Sequence, residues 1–169
     1  MKLVIEKIAD LQALYERQLR LLLSAEEISA IKYYLFVDSA IDPELHQVLQ
    51  EHQRESETHS ARLRDILARI TGAADPLKCR VIYALFDEAE DLLKSMSHES
   101  VRNALLIGAA QRIKHYEIGA YGSLRQFAKV MGHDNDAHIL EQSLREEEES
   151  DRRLTSISER INPLAKKAA

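Results

Sequence analysis

Apolar residues recur at spacings of three and four along most of this 169-residue chain. That spacing is the period of amphipathic α-helices, whereas half-buried strands alternate with a period of two. Short turn-forming sequences interrupt the pattern at a few points. The pattern therefore predicts helices at about residues 3–38, 43–71, 76–96, 99–131 and 135–161, four of them long and one short.

Three of these breaks carry specific turn chemistry. Asp42 precedes Pro43, and an aspartate N-cap followed by proline at the first helical position is a common way to begin a helix. Gly132 follows the fourth apolar pattern and suits a left-handed C-cap. Asn162-Pro163 is expected to end the last helix, because proline lacks the N–H that a helix interior requires.

The lengths of the connections predict how the helices are arranged. The joints near 39–42 and 132–134 are so short that the helices on either side must be antiparallel neighbours. A much longer connection, which contains the short helix, separates the two hairpins. The expected fold is all-α: a ferritin-like four-helix bundle, with one domain over 1–163 and a disordered tail over 164–169.

Composition and charge exclude several classes of function. Five glycines, three prolines and no tryptophan are typical of a helical protein. The net charge of −5 and the interspersed signs leave no basic stripe for nucleic acid. The N-terminus lacks the apolar run of a signal peptide, no window suits a membrane-spanning helix, and Cys79 is the single cysteine. We therefore expect a cytoplasmic protein with no membrane segment. There is also no phosphate-binding glycine loop or Ser/His/Asp arrangement, which argues against kinase, dinucleotide and serine-hydrolase functions.

Ionisable residues interrupt the apolar stripe near the middle of every long helix. An amphipathic helix normally keeps that stripe apolar, because burying a charge is costly unless it is paired. The interruptions, from the first long helix to the fourth, are Glu26; His52, Glu55 and His59; Glu117; and Glu147 and Asp151. They predict a polar layer inside the bundle.

The spacing of these residues favours a metal pair. The interval from Glu26 to Glu55 nearly equals that from Glu117 to Glu147, and each hairpin adds a second candidate four residues later. Dinuclear carboxylate bundles are built from two such hairpins. Carboxylates and imidazole suit iron or manganese, so the layer predicts two metal ions, iron above all, with manganese as the other choice.

Each position also has a simpler interpretation. A histidine on a bundle stripe, such as His52, is more often a hydrogen-bonded core residue than a ligand. The acidic run around Glu147 is mostly a solvated face, and His115 lies out of phase with Glu117. Gly119 and Gly122 within the helix predict either a close approach of a neighbouring helix or a local bulge.

Four segments of the chain resemble the YciF/YciE group of small bacterial ferritin-like, stress-associated proteins. They are SAEE at 24–27, PELHQVLQEHQRESETH at 43–59, AAQRIKHYEIGAYGSL at 109–124 and LREEEESD at 144–151. The resemblance implies a bundle with a metal pair, usually taken as di-iron, and association as dimers. By position it implies ligands at Glu26, at Glu55 with His52 nearby, at Glu117 and at Glu147. Relatives often have a glutamate directly before the HYE motif, where this chain has Lys114.

Two functional hypotheses follow. In the first, a homodimeric bundle binds two metal ions through Glu26, Glu55, Glu117 and Glu147, with His52, His59 and Asp151 as further candidates. It would use oxygen or peroxide in oxidase- or ferroxidase-type chemistry. In the second, a non-catalytic interaction or structural protein keeps the fold with a degenerate or single-metal site, and Lys114 forms salt bridges in place of metal. The sequence leaves open whether the chain is an enzyme.

Overall fold

The structure, a computed structural model, describes residues 7–166. Within that range it contains five helices and no strand. They are α1 (Leu11–Ser39), α2 (Pro43–Thr71), α3 (Arg80–Lys94), α4 (Glu99–Val130) and α5 (Asp134–Ala165).

The four long helices form two antiparallel hairpins. α1 packs along α2 and α4 packs along α5, while α1 with α4 and α2 with α5 form the contacts between the hairpins. The connection from α2 to α4 carries α3, which packs against α1 and α4. This is the four-helix bundle with one long crossover that the connection lengths predicted.

The predicted turns are confirmed in the short connection of each hairpin. The carboxylate of Asp42 accepts hydrogen bonds from the backbone N–H groups of Glu44 and Leu45, with Pro43 in the first helical turn. Gly132 has φ of 75°, a left-handed conformation that glycine adopts without steric cost. These turns hold each hairpin in register, so that mid-length residues of the paired helices face one another.

Two predicted helix ends near the crossover and the N-terminus are wrong. α1 begins at Leu11 rather than at residue 3, because Asp10 accepts a hydrogen bond from the N–H of Ala13 and caps the helix there; residues 1–6 lie outside the described range. α3 spans Arg80–Lys94 rather than 76–96. The segment before it is extended along α1, where the N–H of Leu77 donates to the carbonyl of Arg20.

The predicted stop at Asn162-Pro163 is also wrong. α5 continues through Pro163 to Ala165. A proline in the last turn removes only one backbone hydrogen bond, and Ile161 just before it is buried in the core. Residues 167–169 lie outside the described range, so the disordered tail predicted over 164–169 stays a prediction.

Neither predicted explanation for Gly119 and Gly122 holds. A methyl group added at either position would meet nothing within 4 Å, so no neighbouring helix approaches closely there. α4 is also α-helical throughout this stretch, without a bulge. The structure gives no reason for glycine at these two positions.

An aromatic cluster joins α3 to the bundle. Phe86 of α3 is fully buried, with its ring edge-on to that of Tyr33 and tilted against that of Phe36. Tyr33 in turn packs edge-on against His52. The crossover helix thus covers the end of the polar layer with apolar side chains. In the part of the chain that is described, no helix has the length and apolar character needed to cross a membrane.

Candidate metal centre

The polar layer predicted from the stripes lies in the middle of the bundle. All four long helices contribute to it, and the solvent-exposed fraction of each contributing side chain is 0%. These residues are Glu26 of α1, His59 of α2, Lys114 and Glu117 of α4, and Glu147 of α5. Such a concentration of ionisable groups out of contact with water requires mutual compensation or a bound cation.

Three of these side chains converge on one point. His59 Nδ1 lies 2.9 Å from Glu147 Oε1 and 3.3 Å from Glu26 Oε1. Glu26, His59 and Glu147 each offer a ligand atom, and these three atoms lie within 4.8 Å of one another. They come from α1, α2 and α5, so the site exists only when the two hairpins are packed together.

The other edge of the His59 ring is held by a surface pair. Glu146 Oε2 lies 2.7 Å from His59 Nε2, and Arg62 Nη2 donates to Glu146 Oε1 at 3.1 Å. A carboxylate that accepts from one ring nitrogen fixes the tautomer and leaves the other nitrogen free to bind, which is the usual arrangement behind a metal-binding histidine. Here it aims Nδ1 at Glu26 and Glu147.

The contacts at Nδ1 suit ligands around an ion better than a pair of hydrogen bonds. Although His59 Nδ1 is close to two carboxylate oxygens, neither contact has hydrogen-bond geometry, and Nδ1 has no hydrogen-bond partner. Two atoms that each lie about 2.1 Å from an ion, at angles of about 90–110°, are about 3.0–3.4 Å apart. The separations at Nδ1 fall near that range, so the donor set fits a divalent metal ion.

Without a metal, a proton on His59 balances the same carboxylates. Burial lowers the pKa of His59, but the carboxylates of Glu26, Glu146 and Glu147 outweigh burial and raise that pKa well above 6.5. An imidazolium and a metal ion would therefore be alternative cations at one position.

Lys114 is the second cation of the layer. Its ammonium lies 2.8 Å from Glu147 Oε2 and 3.5 Å from Glu117 Oε2. Burial lowers the pKa of Lys114, but Glu147 and Glu117 outweigh it and raise that pKa well above 10.5. The side chain is therefore charged although no part of it reaches solvent.

Two hydroxyl groups hold the carboxylates in place. Tyr121 donates to Glu26 Oε1 at 2.7 Å, and Ser29 donates to Glu117 Oε1 at 2.9 Å. Burial raises the pKa of Glu117 well above 4.5, with Glu26 and Glu147 adding to the shift. Burial thus favours the neutral form of Glu117, and Lys114 and an imidazolium at His59 are the cations of the metal-free layer.

The remaining predicted residues lie near the layer but outside the converging group. Glu55 is half-buried and accepts a hydrogen bond from Ser150 at 2.7 Å. Asp151 is half-buried, and its Oδ2 lies 3.1 Å from Nε2 of His115, which is exposed as its phase predicted. His52 is fully buried, and neither ring nitrogen has a hydrogen-bond partner. Their roles as metal ligands stay predictions.

Sequence reasoning missed Glu146. It was assigned to the solvated acidic face, yet it holds the outer edge of the His59 ring. Successive helix residues are about 100° apart, so the neighbour of an inward glutamate lies at the border of the core, where it can contact the partner helix. Arg62 lies three residues after His59 on α2, and its positive charge was the signal that a carboxylate of another helix could lie beside His59.

Comparison with known proteins agrees with this architecture. Residues 10–166 match the family model described as domain of unknown function DUF892. Protein YciF of Escherichia coli (strain K12) is 39% identical over 92 residues. That alignment covers 54% of this chain and spans about half, 54%, of the length of YciF.

Solved structures extend the likeness to nearly the whole fold. YcfI from Rhodopseudomonas palustris, described as a structural protein, has a TM-score of 0.86 at 26% identity and covers 89% of this chain and 96% of its own. The E. coli stress protein YciF has a TM-score of 0.85 at 26% identity, with the same coverage.

A third solved structure shows the wider fold class. A dodecameric thioferritin of Bacteroides fragilis has a TM-score of 0.67 at 18% identity, covering 94% of this chain and 92% of its own. At that identity the likeness concerns the fold alone, which is ferritin-like. Because the family model matches residues 10–166, which is nearly the whole chain, the chain belongs to the DUF892 family.

Proposed function

We propose that this chain is a ferritin-like metal-binding protein that holds divalent iron or manganese among Glu26, His59 and Glu147. The observation that carries the proposal is the position of His59 Nδ1, which faces two carboxylate oxygens at 2.9 and 3.3 Å without a hydrogen bond to either. Mixed carboxylate and imidazole donors suit these two metals. YciF is described as a stress protein. In this chain, a bound iron ion would supply redox chemistry with oxygen or peroxide.

The protein's own residues would position and protect such an ion. Tyr121 orients Glu26, and Glu146 with Arg62 orients the imidazole of His59. The layer is closed to solvent on all sides, since each of its side chains is fully buried. These features favour tight, slow binding over open access for a large substrate, so any co-substrate must be as small as dioxygen or peroxide.

A metal-free structural role is the second candidate. Lys114 and a protonated His59 balance Glu26 and Glu147, so the layer can persist without metal. Such a protein would use the bundle as a scaffold, as the description of the R. palustris relative implies for that protein. The two candidates differ in one measurable property, the dependence of stability on metal.

Manganese loading is expected to stabilise the protein and a chelator to reverse the effect. An ion that binds only the native state adds about 2.7 kcal/mol at a hundredfold excess over its dissociation constant. Thermal unfolding with and without Mn²⁺, together with metal analysis of the desalted protein, measures this. Equal unfolding temperatures under both conditions, with less than a tenth of an ion per chain on average, would favour the metal-free role.

Matched substitutions locate the ion. Glu26→Gln and His59→Gln are expected to abolish the stabilisation by Mn²⁺, because each removes one converging donor. Glu27→Gln and His46→Gln are the controls. Glu27 pairs with Arg64 at the surface, and His46 is exposed on the same helix as His59. If all four variants respond to Mn²⁺ as the wild type does, the ion binds elsewhere.

The stabilisation by metal is expected to grow as pH rises. In the metal-free protein, the stability contributed by protonated His59 is complete below its ordinary pKa of 6.5 and is lost as pH rises through its raised folded pKa. The raised pKa of Glu117 acts in the same direction from its ordinary value of 4.5. A bound ion replaces the proton on His59, so the metal-bound protein avoids that loss. Unfolding temperatures measured from about pH 6 to 9 with Mn²⁺ and with chelator should diverge; parallel curves would contradict the exchange of proton for metal.

We also propose a homodimer rather than a closed shell. Ile31 and Tyr34 lie one turn apart on α1 with exposed fractions of 68% and 55%, and adjacent exposed apolar side chains of this kind are often buried between subunits. Sedimentation velocity should show a dimer for the wild type and a monomer for Ile31→Glu. Val130→Glu, at an equally exposed apolar position on α4, should leave the dimer intact. A particle of cage size would contradict the proposal.

A further inference from the structure

We propose that the ammonium of Lys114 takes the place of a second metal ion, so that the core binds one metal ion per chain and not two. This rests on the proposed metal-binding function and specifies its stoichiometry. The sequence pattern predicts two ions, and the difference arises from a single side chain whose position the pattern did not settle.

The two oxygens of Glu147 carry the argument. Oε1 lies 2.9 Å from His59 Nδ1, on the side of the three converging donors. Oε2 lies 2.8 Å from Lys114 Nζ, on the other side. One carboxylate therefore bridges two cation positions, as bridging carboxylates do between paired metal ions. One position is open to a proton or a metal ion, and the other already holds an ammonium.

The second position also has a carboxyl group of its own. Glu117 Oε2 lies 3.5 Å from the Lys114 ammonium. Lys114, Glu117 and Glu147 are all fully buried, so the positive charge is not screened by water. A divalent ion brought next to that ammonium would meet strong repulsion, since charges interact several times more strongly in a protein interior than in water.

Buried polar side chains on both α1 and α2 lack hydrogen-bond partners. His52 has no hydrogen-bond partner at either ring nitrogen, and the hydroxyls of Ser56 and Tyr33 have none either. His52 and Lys114 both approach Tyr33: the His52 ring centroid lies 5.8 Å from that of Tyr33, and Lys114 Nζ lies 5.7 Å from it. Buried polar atoms without partners are rare in folded proteins. Here His52 and Tyr33, which lie near the ammonium, are candidate donors for an ion that would replace it.

Lys114→Glu tests the inference. It removes the ammonium and adds a carboxylate beside Glu117 and Glu147, so a second divalent ion gains both space and ligands. The wild type loaded with Mn²⁺ should carry one ion per chain in native mass spectrometry, and Lys114→Glu should carry two. Electron paramagnetic resonance gives an independent signature, since one Mn²⁺ is magnetically isolated whereas a bridged pair is coupled.

A double variant identifies the added site. His52→Ala in the wild-type background should leave one ion bound, because His52 is outside the converging group. His52→Ala with Lys114→Glu should weaken the second ion and return the count towards one. Circular dichroism of each metal-loaded variant checks that the bundle is folded.

The outcomes separate this inference from the proposed function. Two ions in the wild type would overturn the inference and leave metal binding intact. One ion in both the wild type and a folded Lys114→Glu variant would also overturn it. No ion in the wild type would refute the proposed function and the inference together. Because the wild-type count alone can decide against the inference, the test holds even if Lys114→Glu does not fold.

Discussion

Replacing Lys114 with methionine is expected to lower the free energy of unfolding of the metal-free protein by about 3–5 kcal/mol. Methionine has a similar length and fits an apolar interior, so the loss comes from charge and not from volume. The ammonium is the partner of Glu147 at 2.8 Å and of Glu117 at 3.5 Å. Without it, the buried Glu147 carboxylate loses one of its two cation partners, and its ionised form becomes more costly at neutral pH.

Chemical denaturation of the chelated protein measures this loss. Lys32→Met is the control, because the ion pair of Lys32 with the exposed Asp87 lies at the surface and such pairs contribute about 1 kcal/mol or less. Combining Lys114→Met with Glu147→Gln should recover much of the stability, since the second change removes the anion left unpaired. If Lys114→Met costs no more than Lys32→Met, the ammonium does not neutralise the layer.

Phe86→Ala is expected to destabilise the protein by about 3–5 kcal/mol. The Phe86 side chain is fully buried, and its ring centroid lies 5.5 Å from that of Tyr33 and 5.2 Å from that of Phe36. Its removal leaves a cavity between α3 and α1, and it exposes the side of Tyr33 that shields His52 and Lys114. The loss should therefore appear both as lower stability and as faster loss of bound Mn²⁺ to a chelator.

Leu92→Ala on the same helix is the matched control. Leu92 is 40% exposed, so its truncation removes much less buried surface and leaves no closed cavity. We expect a small change in stability and an unchanged rate of metal release. Equal effects of the two substitutions would show that α3 contributes to stability through its helix alone and does not cover the polar layer.

Most of the fold was predictable because it depends on short-range signals. Helical periodicity and connection length predicted the two hairpins and the crossover. Asp42 and Gly132 form the turns between the paired helices, as expected. The errors lie where a local signal competes with packing. Asp10 caps α1 although apolar residues continue before it, and burial of Ile161 keeps α5 helical past a proline.

The candidate site was predictable in its position and less so in its contacts. Helical phase identified Glu26, Glu117 and Glu147 as inward-facing, and all three are fully buried. Phase fixes the direction of a Cα–Cβ bond but not the side-chain rotamer. For that reason it did not show that Glu55 accepts from Ser150. It also did not show that Lys114 contacts the same carboxylate as His59.

The three converging donors come from three different helices, and this affects how fast an ion could exchange. Glu26, His59 and Glu147 are all fully buried, so an ion bound there, as proposed above, would enter or leave only when the hairpins separate locally. The exchange rate of the ion is then set by an opening of the native state, whose population falls as local stability rises. Backbone amides of α1 and α5 around this layer should exchange hydrogen for deuterium on the timescale of metal release. The lifetime of a bound ion would then be set by local opening of the bundle.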